Sequence, residues 1–325
     1  MTTARHLLKG ILMLALLAAP LAINAQSARV YRIGVVLFGG QYSTAIDGLR
    51  DGLKELGLEE GKQLILHVRD LKGDLKSVEE AARSLEREKV DLIYSVASSV
   101  TVPVKRATQR VPIVFYVGRD PAGIGLVESL GKPGGRLTGV YSRLTDMTPK
   151  RLQLLKEMIP ALRRIAMFYD PANPIALRPV EMARDAARKL KVQLVEIPVG
   201  SVEELRASLR ALAPEQADAW YAVDGMVVSQ AEMVLDTART KRVPAMLGDQ
   251  ASVAKGAIAS YGPSYYTSGR LAAKYVQRIL LGANPATLPV EQVDRFHFAI
   301  NLKTAKALGL TIPRSVLARA DEVIE

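Results

Sequence analysis

The sequence predicts an α/β fold of two units in series, with parallel sheets that are covered by helices on both faces. Near-continuous apolar runs such as 31–38, 111–117 and 163–169 alternate with amphipathic stretches. Such runs are typical of strands buried on both faces, and their alternation with helices is typical of parallel sheets. The pattern pauses at residues 138–149 and then restarts, which indicates two units.

In the first unit, strands and helices are predicted in strict alternation. The predicted strands are 31–38, 62–68, 91–97 and 111–117. The predicted helices are 43–57, 75–89, 102–110 and 121–131. Apolar runs alone predict the strands, whereas helical spacing of apolar residues predicts the helices.

The second unit repeats the alternation and ends in a long helix. The predicted strands are 163–169, 192–199, 218–224, 244–248 and 257–262. The predicted helices are 148–160, 175–190, 201–214, 226–242 and 252–256, followed by a long helix over 264–282. Gly282 is a typical residue for ending that helix.

The N-terminal stretch has the layout of a secretory signal peptide, which we place at residues 1–25. Arg5 and Lys9 precede the apolar run 10–23, and Ala25 offers a small residue for cleavage. The chain contains no cysteine, so we expect no disulfide and no lipid anchor on an N-terminal cysteine. Export without an anchor predicts a protein that is free in the periplasm, stabilised by a large core.

Charge and motifs exclude several classes of function. The net charge is +11, but the basic residues are spread out and only 5% of residues are aromatic, so nucleic acid is not an expected partner. The sequence has no Gly-x-Ser-x-Gly motif and no zinc-protease histidine pair, and His67 and His297 lack metal partners at ligand spacing. We therefore expect no catalytic residues, no metal and no cofactor, although a serine or carboxylate enzyme without a known motif remains an alternative.

Polar residues stand at the ends of several predicted strands. Ser98 and Ser99 follow the run 91–97, where their hydroxyls can cap the next helix or can hold an anion beside its free amides. Asp120 and Asp170 each precede a proline and are natural helix caps. Open α/β sheets bind ligands at the carboxyl ends of their strands, so both roles stay open for all four residues.

Several stretches together resemble one protein family. They are residues 133–140, 150–160, 169–174, 256–265 and, above all, the closing stretch FAINLKTAKALGLTIPRSVLARADEVIE. On these motifs the chain is similar to the ABC-transporter substrate-binding family, from about Arg29 to Glu325. The resemblance implies a periplasmic binding protein type I fold, in which two Rossmann-like lobes with parallel sheets are joined by three hinge crossovers.

The resemblance also implies where the lobes lie in the chain. The N-terminal lobe would comprise residues 29–141 plus 264–283, and the C-terminal lobe residues 142–263 plus 284–325. Its implied function is that of a monomeric solute receptor, which delivers a small ligand to an ABC permease in the inner membrane. Members with known ligands favour aromatic amino acids, so we expect an amino acid or a related carboxylate.

For such a ligand, the serine loop at Ser98 and Ser99 would receive the carboxylate, as the resemblance implies. The ammonium group would need an acceptor from the other lobe. Asp224, which ends a predicted strand, is the first candidate, and Asp249 is the second. Each aspartate has the alternative role of a helix cap.

Further candidates would contact the side chain of the ligand. Gln41 and Tyr42 follow the first strand, Tyr116 lies near the end of another, and Tyr261 lies at the second crossover. Their faces can flank an apolar or ring-bearing group, although Tyr116 also suits an ordinary core position. Asn173 can donate to the ligand or can stabilise its own turn.

The expected mechanism is hinged closure, in which the ligand docks on one lobe and the second lobe completes the contacts. A periplasmic sensor that presents its ligand to a signalling receptor would have the same sequence features. A secreted α/β enzyme is the rival of a different class, and it predicts turnover rather than binding alone. A cytoplasmic repressor core is disfavoured by the signal peptide and by the lack of a helix-turn-helix segment.

Overall fold

A computed structural model describes residues 29–222 and 225–325, and the chain from Tyr31 onward forms two α/β lobes. The expected signal peptide, residues 1–25, lies outside the described residues, and so does Asp224. Within the described part of the chain, no helix is long and apolar enough to cross a membrane.

The first lobe is built on a six-stranded sheet in which every neighbouring pair is parallel. In spatial order its strands are β11 (Glu291–Gln292), β5 (Leu137–Tyr141), β4 (Ile113–Val117), β3 (Leu92–Val96), β1 (Tyr31–Leu37) and β2 (Leu64–Asp70). The residues of β3, β4 and β5 are all buried, which explains why these strands read as continuous apolar runs.

Four helices cover this sheet, and two of them pack unusually closely. They are α1 (Ser43–Glu55), α2 (Val78–Arg87), α3 (Ser98–Ala107) and α10 (Tyr265–Leu280). A Cβ on Gly48 of α1 would lie 1.9 Å from the carbonyl oxygen of Tyr266, and one on Gly269 of α10 would lie 2.0 Å from that of Ala45. Glycine at both positions therefore lets the two helix backbones touch.

The second lobe is built on a seven-stranded sheet with a reversed edge. In spatial order its strands are β13 (Glu322–Ile324), β12 (His297–Asn301), β10 (Ala259–Gly262), β9 (Ala245–Leu247), β8 (Ala219–Ala222), β6 (Arg164–Tyr169) and β7 (Gln193–Pro198). Strand β12 pairs antiparallel with β10 and parallel with β13, and the remaining pairs are parallel.

Apolar clusters cover both faces of the second sheet, as expected for parallel strands. The helices of this lobe are α4 (Thr148–Met158), α5 (Pro174–Leu190), α6 (Val202–Ala211), α7 (Gly225–Ser229), α8 (Ala231–Lys241), α9 (Ala251–Ala254), α11 (Leu302–Ala307) and α12 (Arg314–Leu317). The predicted fold class of two helix-covered lobes is confirmed.

Two predicted helices are wrong. Residues 121–131 form successive turns instead of a helix, because Gly123, Gly125 and Gly131 weaken helical propensity and Gly125 has a φ of 70°. The predicted helix 226–242 is broken at Gln230 into α7 and α8.

The expected lobe boundary at residue 283 also differs from the structure. Residues 284–293 lie with the first lobe, because β11 pairs with β5 and because Leu288, Val290 and Val293 are buried in the first core. The third crossover therefore falls between Val293 and His297. The sequence gives little indication of this boundary, since β11 is only two residues long.

Arg151 of α4 ties the other two crossovers together. It is fully buried, its Nε donates to the carbonyl oxygen of Tyr261 at 2.6 Å, and its Nη1 donates to that of Leu144 at 3.1 Å. Leu144 lies in the first crossover, and Tyr261 is the last but one residue of β10, beside the second. The guanidinium group thus holds both connecting segments against one helix.

Replacing Arg151 with methionine is expected to lower the free energy of unfolding by about 2–4 kcal/mol, because two buried carbonyls lose a charged donor. Urea unfolding followed by fluorescence measures this, since the single tryptophan, Trp220, is buried in the second lobe. The control is Arg188→Met, which removes an exposed arginine of α5. Equal stability of the two variants would contradict this role for Arg151.

Candidate ligand-binding site

A cavity lies between the lobes, at the carboxyl ends of β1, β3 and β4 and opposite the loop after β6. The cavity has a volume of about 60 Å³. The position is the one where open α/β sheets bind their ligands.

The serine loop forms one wall of the cavity. Ser98 and Ser99 are the first two residues of α3, which starts four residues before the predicted helix, and no side chain caps it. Ser98 is 6% exposed, and its Oγ has no hydrogen-bond partner within the described residues. The first amides of a helix have no acceptor in the helix itself. The capping role is thus not observed, and hydroxyl and amides can serve an anion.

Arg119 brings a positive charge to the same wall, directly after β4. It is the one charged side chain among the described residues that line the cavity. Burial, and then the nearby Arg178, hold the pKa of the Arg119 guanidinium below its usual range. Since arginine nonetheless stays charged near neutral pH, Arg119 adds an attraction for a negative group of the ligand.

Three tyrosines form the aromatic part of the first-lobe wall. The ring of Tyr265 lies 5.0 Å from that of Tyr42 and 5.8 Å, edge to face, from that of Tyr116, measured between centroids. The Tyr116 hydroxyl lies 3.0 Å from Ser142 Oγ. Burial raises the pKa of Tyr116 to about 12 and raises that of Tyr265 as well, so both stay neutral. Such a cluster suits an apolar ring.

The second lobe closes the cavity with the start of α5. Asn173 caps this helix, because its Oδ1 accepts from the Ile175 amide at 3.1 Å. Ile175, Ala176 and Pro179 then present an apolar face to the cavity. Asp170 accepts from the Ala172 amide in the preceding turn, so Asn173 rather than Asp170 is the helix cap.

Gln41 and Asp249 do not line this cavity and contact each other instead. Both are buried, at 2% and 1% exposure, and Gln41 comes from the first lobe whereas Asp249 follows β9 of the second. With the Gln41 amide turned so that Nε2 faces the carboxyl group, it donates to both oxygens of Asp249. Asp249 Oδ1 also accepts from the Ser252 amide at 3.2 Å. The pair is a direct polar contact between the lobes.

Asp120 and Tyr261 do not line the cavity either. Asp120 is exposed, and its Oδ1 accepts from the Ala122 amide at 3.1 Å within a turn. The ring of Tyr261 stacks on Phe296 at 5.8 Å and meets Phe298 edge to face at 6.3 Å. Tyr261 is therefore part of the packing of the second lobe.

The structure thus brings together about half of the candidate residues. Those at the cavity are Tyr42, Ser98, Ser99, Tyr116 and Asn173. Sequence reasoning missed Arg119, Tyr265 and the apolar face of α5. Arg119 directly precedes Asp120 at a strand end, which is a signal that could have identified it. The contact of Tyr265 depends on a helix that returns from far along the chain.

Fold and cavity together define a two-lobed solute-binding protein. Residues 33–324 match the model of the ABC transporter substrate binding protein family, so the chain belongs to that family. The family is one of binding proteins rather than enzymes, and its members are extracellular or periplasmic. The described residues contain no cluster of side chains that could hold a metal ion.

Individual relatives agree with this assignment. A conserved domain protein from Vibrio cholerae is 31% identical, with a TM-score of 0.80 over 91% of this chain and 99% of that one. The ABC domain from Streptococcus pneumoniae, solved in complex with L-Trp, is 27% identical, with a TM-score of 0.78 over 90% and 99%. A tyrosine-binding protein from Clostridioides difficile is 26% identical, over 81% of this chain and 76% of its own length.

Proposed function

We propose that this protein is the periplasmic solute receptor of an ABC importer and that it binds an amino acid with a ring-bearing side chain. The observation that carries the proposal is one cavity that combines a tyrosine cluster with an unpartnered serine hydroxyl and Arg119. The ligands named for two relatives, tyrosine and L-Trp, both join an aromatic ring to a carboxylate.

The ligand carboxylate binds at the serine loop. There it meets the Ser98 hydroxyl, the first amides of α3 and the Arg119 guanidinium, all of which favour a negative charge. The Ser98 hydroxyl is buried and has no hydrogen-bond partner in the described chain. A ligand oxygen can therefore bond to it without breaking an existing hydrogen bond within the described chain.

The ring of the ligand lies between the two lobes. Tyr42, Tyr116 and Tyr265 contact it from the first lobe, and the apolar face of α5 contacts it from the second. The ammonium group pairs with Asp224, which lies outside the described residues. Asp249 is less suited to this role, because it does not line the cavity and its buried carboxyl group faces Gln41.

Binding proceeds by hinged closure and involves no chemical step. The first lobe supplies both the serine loop and the tyrosines, so the ligand docks there before the second lobe adds its contacts. Only contacts made in the closed form favour that form, and here they come from α5. The closed monomer then presents the permease with a surface made from both lobes.

A thermal-shift screen tests the proposal. L-Tryptophan or L-tyrosine at about one hundred times its dissociation constant should stabilise the protein by about 2.7 kcal/mol. Tryptamine and tyramine, which keep the ring and the amine but lack the carboxylate, are the matched control ligands and should stabilise it far less. Stabilisation by sugars alone, or equal stabilisation by the amines, would contradict the proposed ligand class.

A further inference from the structure

The turn after β1 carries a contact that depends on the absence of a side chain. Gly40 follows this strand with a φ of 59°, in the left-handed region that favours glycine. A Cβ at this position would lie 2.0 Å from the carbonyl oxygen of Ser229, at the end of α7 in the second lobe. Side chains larger than hydrogen are therefore excluded here while the lobes are together.

The turn after β2 touches the same end of α7. Gly73 has a φ of 91°, and a Cβ on it would lie 3.0 Å from Ser229 Oγ. Next to it, the carbonyl oxygen of Lys72 accepts from Gln230 Nε2 at 3.1 Å. Two neighbouring turns of the first lobe thus contact the same short segment of the second lobe, at the end of α7.

Helix α7 also belongs partly to the first core. Its Met226 and Val227 pack in the second lobe, whereas Val228 is 3% exposed and packs in the first-lobe cluster. On the other side of the Gly40 turn, Gln41 reaches across to Asp249. Apolar, polar and backbone contacts between the lobes therefore meet around the turn Gly39–Tyr42.

We propose that the turn Gly39–Tyr42 and the end of α7 form an interlobe latch, in which Gly40 sets how far the lobes can close. The latch rests on the hinged closure proposed above. Gly40 and Ser229 do not line the cavity, so their contact changes the population of the closed form without touching the solute. Since the latch contacts join two lobes, they are lost when the hinge opens.

The test substitutes Gly40 with alanine and uses Gly57→Ala as its matched control. Gly57 has a φ of 83°, so alanine there is strained in the same region of conformational space, yet nothing lies within 4 Å of its Cβ position. Strain of the turn is thus common to both variants. Collision with the second lobe is specific to Gly40→Ala.

Closure is measured by trapping it with an engineered disulfide. The chain has no cysteine, so Lys72→Cys with Gln230→Cys creates one unique pair, placed where the two lobes already share a hydrogen bond. The rate of disulfide formation in ligand-free protein reports how often the lobes meet. We expect Gly40→Ala to slow trapping by at least about tenfold and Gly57→Ala to leave it nearly unchanged.

An unchanged trapping rate in Gly40→Ala, with the fold intact by circular dichroism, would overturn the latch. If Gly40→Ala fails to fold, Gln41→Met serves instead, because it keeps the length of the side chain and removes the amide facing Asp249; unchanged trapping in that variant would overturn the latch equally. A second arm adds L-tryptophan or L-tyrosine. Failure of both to speed trapping would count against the proposed ligand while leaving the ligand-free comparison valid.

Discussion

Replacing Arg119 with methionine is expected to weaken binding of L-tryptophan or L-tyrosine by about ten- to a hundredfold. A hydrogen bond to a charged group contributes about 1.5–3 kcal/mol, and a factor of ten corresponds to about 1.4 kcal/mol. Arg119 is the one charged side chain that the described cavity wall offers to a carboxylate. Isothermal titration calorimetry of the native protein and of the Arg119→Met variant measures the change in affinity directly.

The control for this substitution is Arg178→Met. Arg178 lies close enough to lower the pKa of Arg119, yet it is an exposed residue of α5 that pairs with Glu181 and is absent from the cavity wall. Its loss removes a neighbouring positive charge while leaving the proposed carboxylate contact in place. If both arginine variants bind the amino acid equally well, Arg119 does not contact the ligand.

Ligand affinity is expected to fall as the pH rises between about 4 and 7, by up to about tenfold per pH unit. Burial raises the pKa of Asp249 to about 7 in the closed form, from an ordinary value of 3.8. In the hinge opening proposed above, Asp249 parts from Gln41 and Tyr265 of the first lobe and gains contact with water. Closing therefore takes up a proton: this contribution is fully present below the open-state pKa and is lost as the pH rises through the closed-state value.

The surroundings of Asp249 contain no stronger titrating partner among the described residues. After burial, the Ser252 amide and the positive charge of Lys255 oppose the shift, and Tyr116 and Tyr265 stay neutral over this range. The Gln41 amide can donate to an ionised carboxylate or, rotated, can accept from a protonated one. Titrations at several pH values should show a slope in the native protein and a flat response in Asp249→Asn. If affinity falls with pH in both the native protein and Asp249→Asn, the pH dependence arises from another titrating group.

The fold was predictable because its strands are buried on both faces. Continuous apolar runs such as those of β3 and β4 predict a parallel sheet that is covered by helices. Short elements carry no such signal. Strand β11 is two residues long and is recognisable only by its partner β5, and so the third crossover was placed too early.

The residues of the candidate site were predictable mainly where they lie at or just after the end of a strand. Ser98, Ser99 and Tyr42 come just after buried strands, and the topology of the sheet places all three at one edge. Asp249 also follows a strand, but its carboxyl group is covered by Gln41 from the other lobe instead of facing the cavity. Which strand-end residue faces inward depends on how the lobes meet, and no local pattern in the sequence encodes that.

The close packing of α1 against α10 also constrains when the protein can acquire its shape. Helix α1 (residues 43–55) cannot pack until residues 265–280 have been synthesised, and β5 cannot pair with β11 until residues 291–292 have been synthesised. The first lobe is complete only after both steps. During synthesis the N-terminal region is therefore left with an uncovered apolar surface until nearly all of the polypeptide has emerged. Chains that expose apolar surface in this way are prone to aggregate, so the period before residues 265–280 and β11 have been made is the one in which aggregation is favoured.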